Sequence, residues 1–197
     1  MSNPVPTYGQ YWPIAANYWD EMSIRASRTQ EVEATALKLI KHKARYQTIQ
    51  NETGVPWYMV AVLHERESNA NFDRQLAQGD RLDRKSVNVP KGRGPFKDFE
   101  ASAYDALVTL KHYDKIEDWR LEKILYYAEK YNGWGYWQYH GKMPSPYIWG
   151  ATSVQKPGKY VADGKWSSTT MDQQVGCAAM LRDMMRLDQS ITPERET

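Results

Sequence analysis

The 197-residue sequence has a single cysteine, only three phenylalanines, no long apolar run and a net charge of just +2. Lone Cys177 has no internal partner, so the fold does not depend on an oxidising compartment. No stretch approaches the roughly 20 apolar residues that cross a bilayer. The opening residues, MSNPVPTYGQYWPIAANYWDEM, lack the basic and then apolar pattern of a secretory signal. These absences imply a chain made and kept in the cytoplasm, with no stable membrane insertion. The weak charge argues against nucleic acid, whose binders carry strongly basic patches. His64-Glu65 starts like a zinc-protease motif but lacks the second histidine. The four histidines are scattered, and one cysteine cannot complete a zinc site. Ser68 is not in a Gly-x-Ser-x-Gly elbow. Gly92-x-Gly94 and Gly133-x-Gly135 lack the strand-then-helix setting of a nucleotide fingerprint. No metal and no cofactor are expected.

What is present is a globular composition, 41% hydrophobic and 25% charged, with 8 Trp and 14 Tyr. These two residue types join a flat apolar face to a polar tip and suit half-wet positions. No linker or repeat divides residues 1–197, which read as one domain. A short helix is expected around Ala15 to Met22. Ser27 and Gln30 form a candidate capping box for a helix carrying Val32, Ala36, Leu39 and Ile40, with Gly54 at its end region. Pro56 suits the first position of the next helix, which runs through Val60 and Leu63 to about Ser68. From Arg74 to Pro95, turn signals flank the alternating Ser86-Val87-Asn88-Val89, which suggests a small β-hairpin. Asp98 can cap a helix bearing Ala103, Leu107 and Leu110, and a further helix spans roughly Asp118 to Tyr131. An aromatic loop fills Asn132 to Ser168. Thr170 with Gln173 is a candidate capping box for the last helix, through Val175, Ala178, Leu181 and Met185. The expected class is α+β, predominantly α-helical, with one small hairpin.

Glu67 lies four residues after Leu63 and seven after Val60, on the apolar stripe of its helix; Glu65 is turned roughly 200° away. A carboxyl on a buried stripe resists ionisation, which keeps a proton available for donation. A glutamate merely paired at a helix end is the commoner outcome of such spacing.

The local string adds to this. Glu67-Ser68 followed by Phe72 resembles the Glu-Ser-x-x-x-Phe signature of the lysozyme-like superfamily, as in goose-type lysozymes and lytic transglycosylases. His64-Glu-Arg-Glu67-Ser68, Gly79-Asp80-Arg-Leu82, Val87-Asn-Val-Pro-Lys-Gly92-Arg93 and Ser145-Pro-Tyr-Ile-Trp-Gly150 together are similar to phage and prophage lysozyme-family proteins. The similarity runs from about Trp19 to Arg186. It implies a lysozyme-like fold and a muramidase of the endolysin type, with Glu67 as the catalytic acid. The implied substrate is the glycan strand of peptidoglycan, cut at the β-1,4 bond between N-acetylmuramic acid and N-acetylglucosamine.

A second carboxylate would stand roughly 5–5.5 Å away for retention or roughly 6.5–9.5 Å for inversion. Asp80, in the turn after Gly79, is the first choice; Asp83 is the reserve and Asp73 reads as a loop charge. Ser86 could help hold a nucleophilic water. Asn132-Gly133 can stop a helix in a left-handed conformation, and Tyr131-Asn132-Gly133 also resembles the Tyr-Asn-Gly segment that lines the saccharide cleft in those families. Tyr136 and Trp149 are further saccharide contacts by expectation. The enzyme would act as a monomer, held in the host cytoplasm until release to the wall. Competing readings are a lytic transglycosylase, a chitinase- or chitosanase-like enzyme, and a silent wall-binding or phage structural protein.

Overall fold

The computed structural model describes residues 2–162 and 164–197. In chain order its helices are α1 (Tyr8–Glu21), α2 (Thr29–Lys41), α3 (Lys43–Thr53), α4 (Trp57–Ser68), α5 (Phe99–Tyr104), α6 (Leu121–Asn132), α7 (Gly135–Tyr139), α8 (Pro146–Trp149) and α9 (Cys177–Leu187). A π-helical turn, Asp105–Leu110, continues α5. The strands are β1 (Lys159–Ala162) and β2 (Lys165–Ser167), an antiparallel pair with Tyr160 opposite Trp166. The protein is therefore mostly helical with one small hairpin. Among the described residues no helix is long and apolar enough to cross a membrane. By contact the chain falls into two compact units: Met1–Ala36 with Arg120–Thr197, and Leu37–Trp119.

In the second unit α4 is the buried axis: Met59 through His64 are all inaccessible. A helix buried on every face needs apolar residues on every face, and Val60-Ala-Val-Leu supplies them. Helix α3 packs on α4 and on α5. Gly54, at φ 73°, stops α3 as its sequence position suggests, and the Asp98 side chain caps α5 by accepting from Ala101 N at 2.8 Å.

In the first unit α6 is the hub, touching α1, α8 and α9. Leu121, Ile124, Leu125 and Ala128 face inward, as their spacing predicts. Buried Glu122 is satisfied by the C-terminal tail, through Arg195 Nε at 2.5 Å and Glu196 N at 2.9 Å.

Three local expectations are corrected. The hairpin is not at Ser86–Val89, which is irregular, but at 159–167, inside the segment expected to be all loop. Ser27 caps nothing: it lies within a 3₁₀ turn, Ala26–Arg28, and the helix expected to run on toward Gly54 breaks at His42 into α2 and α3. Thr170 does not open the last helix. Its amide and hydroxyl turn back to the Ser167 hydroxyl, and α9 starts at Cys177, after its cap residue Gly176. There the backbones of Gly150 and Gly176 touch, and a Cβ on either would lie 2.5 Å or less from a backbone atom. That contact fixes where α9 begins.

Candidate functional site

Glu67 is one residue from the end of α4, where burial gives way to partial exposure; residues 65 to 68 are all half-buried. The helix stops because Asn69 and Ala70 both turn left-handed, at φ 57° and 52°, with their amides bonded back to Glu65 and His64 carbonyls. The chain thus reverses immediately after Glu67. Glu65 points elsewhere and is ion-paired with Lys38 at 2.6 Å.

His64 anchors the returning strand of chain. Its Nε2 lies 3.1 Å from the Asn71 carbonyl, and its Nδ1 2.9 Å from the Tyr46 hydroxyl. A carbonyl only accepts, so Nε2 carries the proton and Nδ1 accepts from Tyr46. The ring stacks on Phe99, with centroids 4.0 Å apart, and meets Phe72 edge-on. Burial lowers its pKa to about 4, against a smaller opposing pull from the Asn71 carbonyl; Arg45, Lys38 and His42 lower it further. Phe72, the last residue of the Glu-Ser-x-x-x-Phe string, therefore packs on the histidine that holds the Glu67 turn.

The Gly79-Asp80 turn is seated directly against this helix end. A Cβ on Gly79, at φ 69°, would lie 2.7 Å from the Glu67 carbonyl oxygen. Glu67 and Asp80 are thereby brought into one locality. The Asp80 carboxylate accepts from Val87 N at 2.9 Å, Asn88 N at 3.0 Å and Asn88 Nδ2 at 2.8 Å. It organises the 86–93 loop as well as facing solvent in part.

No family model, curated protein or solved structure matches this chain.

The Ser86 hydroxyl is not a free water-holding group. It is 4% exposed, donates to Pro90 O at 2.7 Å and accepts from Arg93 N at 2.9 Å. Arg93 in turn forms a two-pronged ion pair with Asp105 at the start of the π-helical turn. Two backbone bonds, Ser86 N to Arg93 O at 2.8 Å and Gly92 N to Ser86 O at 3.0 Å, close the loop together with these side chains. Asp83 is clamped between Arg81 and Arg84, whose hydrogen bonds hold its carboxyl far below the usual range. Asp73 and Asp83 line an open groove with Arg74, Arg81 and Phe96, a groove whose walls include neither Glu67 nor Asp80.

The remaining expected contacts belong to the first unit. Tyr131 and Asn132 end α6, the tyrosine buried and the amide exposed. Gly133 stops the helix at φ 105°, ψ 158°, an extended positive-φ conformation rather than the left-handed helical one expected. Tyr136 is half-buried, edge-on to Tyr160 and Trp166. Trp149 is 2% exposed, so it is an interior ring and not a surface platform.

Sequence reasoning missed the hairpin, the loop-organising role of Asp80, and buried Glu129. The hairpin had a signal: Asp163-Gly164 between Lys-Tyr-Val-Ala and Lys-Trp-Ser is a strong two-residue turn sequence, although Asp163 itself lies outside the described residues. Among the described residues no group of three metal-binding side chains comes together.

Proposed function

We propose that the protein is a peptidoglycan-cleaving muramidase in which Glu67 protonates the glycosidic oxygen. The observation that carries this reading is the Gly79–Asp80 turn, whose Gly79 backbone rests on the Glu67 carbonyl and so brings the chain that bears Asp80 up to the half-buried helix-end glutamate. Two carboxyls flanking one bond are the usual equipment of glycoside hydrolysis. In the reaction the Glu67 proton goes to the leaving oxygen and the C–O bond breaks. Asp80 takes a proton from water as the water oxygen bonds to the anomeric carbon. The three donors on Asp80 fix its direction, as a base or electrostatic partner requires.

The same three hydrogen bonds favour a second reading. If Asp80 serves only the loop, Glu67 acts alone as a lytic transglycosylase acid and the sugar's own hydroxyl closes an anhydro ring. Mass spectrometry of a peptidoglycan digest separates the two: reducing ends report hydrolysis, anhydro ends transglycosylation. Glu67→Gln is expected to fold normally and release neither. Full activity of that variant would remove Glu67 as the acid, and an inactive wild type that still binds walls would leave a silent binding protein.

A further inference from the structure

The Gly79–Asp80 turn is held by a buried glutamine as well as by its seat on α4. Gln75 is 1% exposed and lies in the same unit as Glu67 and Asp80. Its backbone amide donates to the Asp80 carbonyl at 2.6 Å, and its carbonyl accepts from Gly79 N at 2.9 Å. Its side-chain Nε2 donates to the carbonyls of Arg81, at 2.9 Å, and Arg84, at 3.0 Å. A carbonyl only accepts, so this end of the amide is the NH₂ group, and Oε1 accepts from Gln78 Nε2 at 3.1 Å. The side chain thus spends its donors and its acceptor on the chain at either side of Asp80.

Gln75 is itself fixed. The next residue, Leu76, is inaccessible, and its amide donates to the Ser102 hydroxyl on α5 at 2.8 Å. The returning arm of the loop passes close by, since a Cβ on Gly94 would lie 3.2 Å from Gln75 Nε2. A buried polar side chain with its hydrogen bonds satisfied stiffens what it touches. Glu67 has a different support, the end of α4 and the turn that His64 anchors. Disturbing Gln75 therefore moves the chain that bears Asp80 and leaves the helix end in place.

We propose that Gln75 is the positioning residue for Asp80 and thereby decides which nucleophile completes the reaction. This rests on the muramidase reading of Glu67 and Asp80. With Gln75 in place, Asp80 takes a proton from water as the water oxygen bonds to the anomeric carbon. With Asp80 displaced, Glu67 has given its proton to the leaving oxygen and is the carboxylate that remains. It takes the proton of the sugar's own hydroxyl as that oxygen bonds to the anomeric carbon, and an anhydro end forms.

The test compares digests of soluble peptidoglycan by wild type and Gln75→Met, with mass spectrometry of the products and kcat and KM for reducing-end release. Methionine keeps the length of the side chain and removes its donors. The expected result is a fall in kcat of about tenfold or more, an unchanged KM and a larger anhydro share. A purely structural loss would lower both products together and leave their ratio alone. Hydrogen exchange adds a readout without substrate. The Val87 and Asn88 amides, bonded to the Asp80 carboxylate, should exchange faster in Gln75→Met, while the Ala101 amide, capped by Asp98, keeps its protection. Should Gln75→Met fail to fold, Gln78→Ala removes the donor to Oε1 from a half-buried position and should shift the product ratio the same way. A wild type that releases neither kind of end sinks the muramidase reading itself. A wild type that releases only anhydro ends, or a folded variant with wild-type kcat and product ratio, overturns the role of Gln75.

Discussion

Replacing Gly79 by alanine tests the contact on which the proposed active site depends. Two costs act at that position. At φ 69° a Cβ meets the left-handed penalty of about 1–2 kcal/mol, and at 2.7 Å from the Glu67 carbonyl oxygen it also forces the turn away from the helix end. Overpacking of this kind costs about 1–3 kcal/mol. Against these stands a gain of about 0.4–1 kcal/mol from a less flexible unfolded chain, which leaves a net loss of about 1–4.6 kcal/mol. Gly92 is the matched control, because its φ is 80° and nothing lies within 4 Å of its added Cβ. Gly92→Ala therefore carries the backbone penalty alone. Urea unfolding of both variants isolates the clash as the difference between them, expected at about 1–3 kcal/mol. Wall lysis should fall in Gly79→Ala and hold in Gly92→Ala. Equal stabilities, with equal lysis, would refute the claim that the turn is seated on the helix.

His64, held at a pKa of about 4, takes up a proton in the unfolded chain from pH 6.5 downward but not in the folded one. Its contribution is therefore complete above pH 6.5 and is lost as pH falls toward 4, by about 3 kcal/mol across the window. Urea midpoints at pH 7 and 4.5 should differ less in His64→Gln than in the wild type. Asp80→Ala removes three hydrogen bonds at a half-exposed carboxylate and should cost about 1–3 kcal/mol. Hydrogen exchange should then show the Val87 and Asn88 amides losing protection. Asp98→Ala deletes the cap of α5 and should lower stability by about 1 kcal/mol in thermal unfolding.

The helices were the legible part, because burial writes a period into them. Leu121, Ile124, Leu125 and Ala128 announce α6, and Gly54 and Asp98 mark ends where they are needed. Around Glu67 the sequence shows where the residue is but not how it is held. The Asn71, Tyr46 and Phe99 contacts of His64 join positions up to 35 residues apart, and no local period reports them. The misplaced hairpin has a similar cause. Ser86-Val-Asn-Val alternates as a strand should, but alternation needs a partner strand, and here Asp80 and Ser86 take up the backbone groups instead. Trp149 misled in the opposite sense: expected at a saccharide cleft, it packs inside against Tyr18.

The loop from Asp80 to Arg93 is latched at its base and bare at its crown. Its shape is set by Asp80, Ser86 and the Arg93–Asp105 pair, while Val87 and Val89 stand out in water, 69% and 81% exposed. Anchor and display are thus separate residues. The Val87 and Val89 side chains can be rewritten without disturbing the latch below them, whereas a change in the latch would move every crown residue at once.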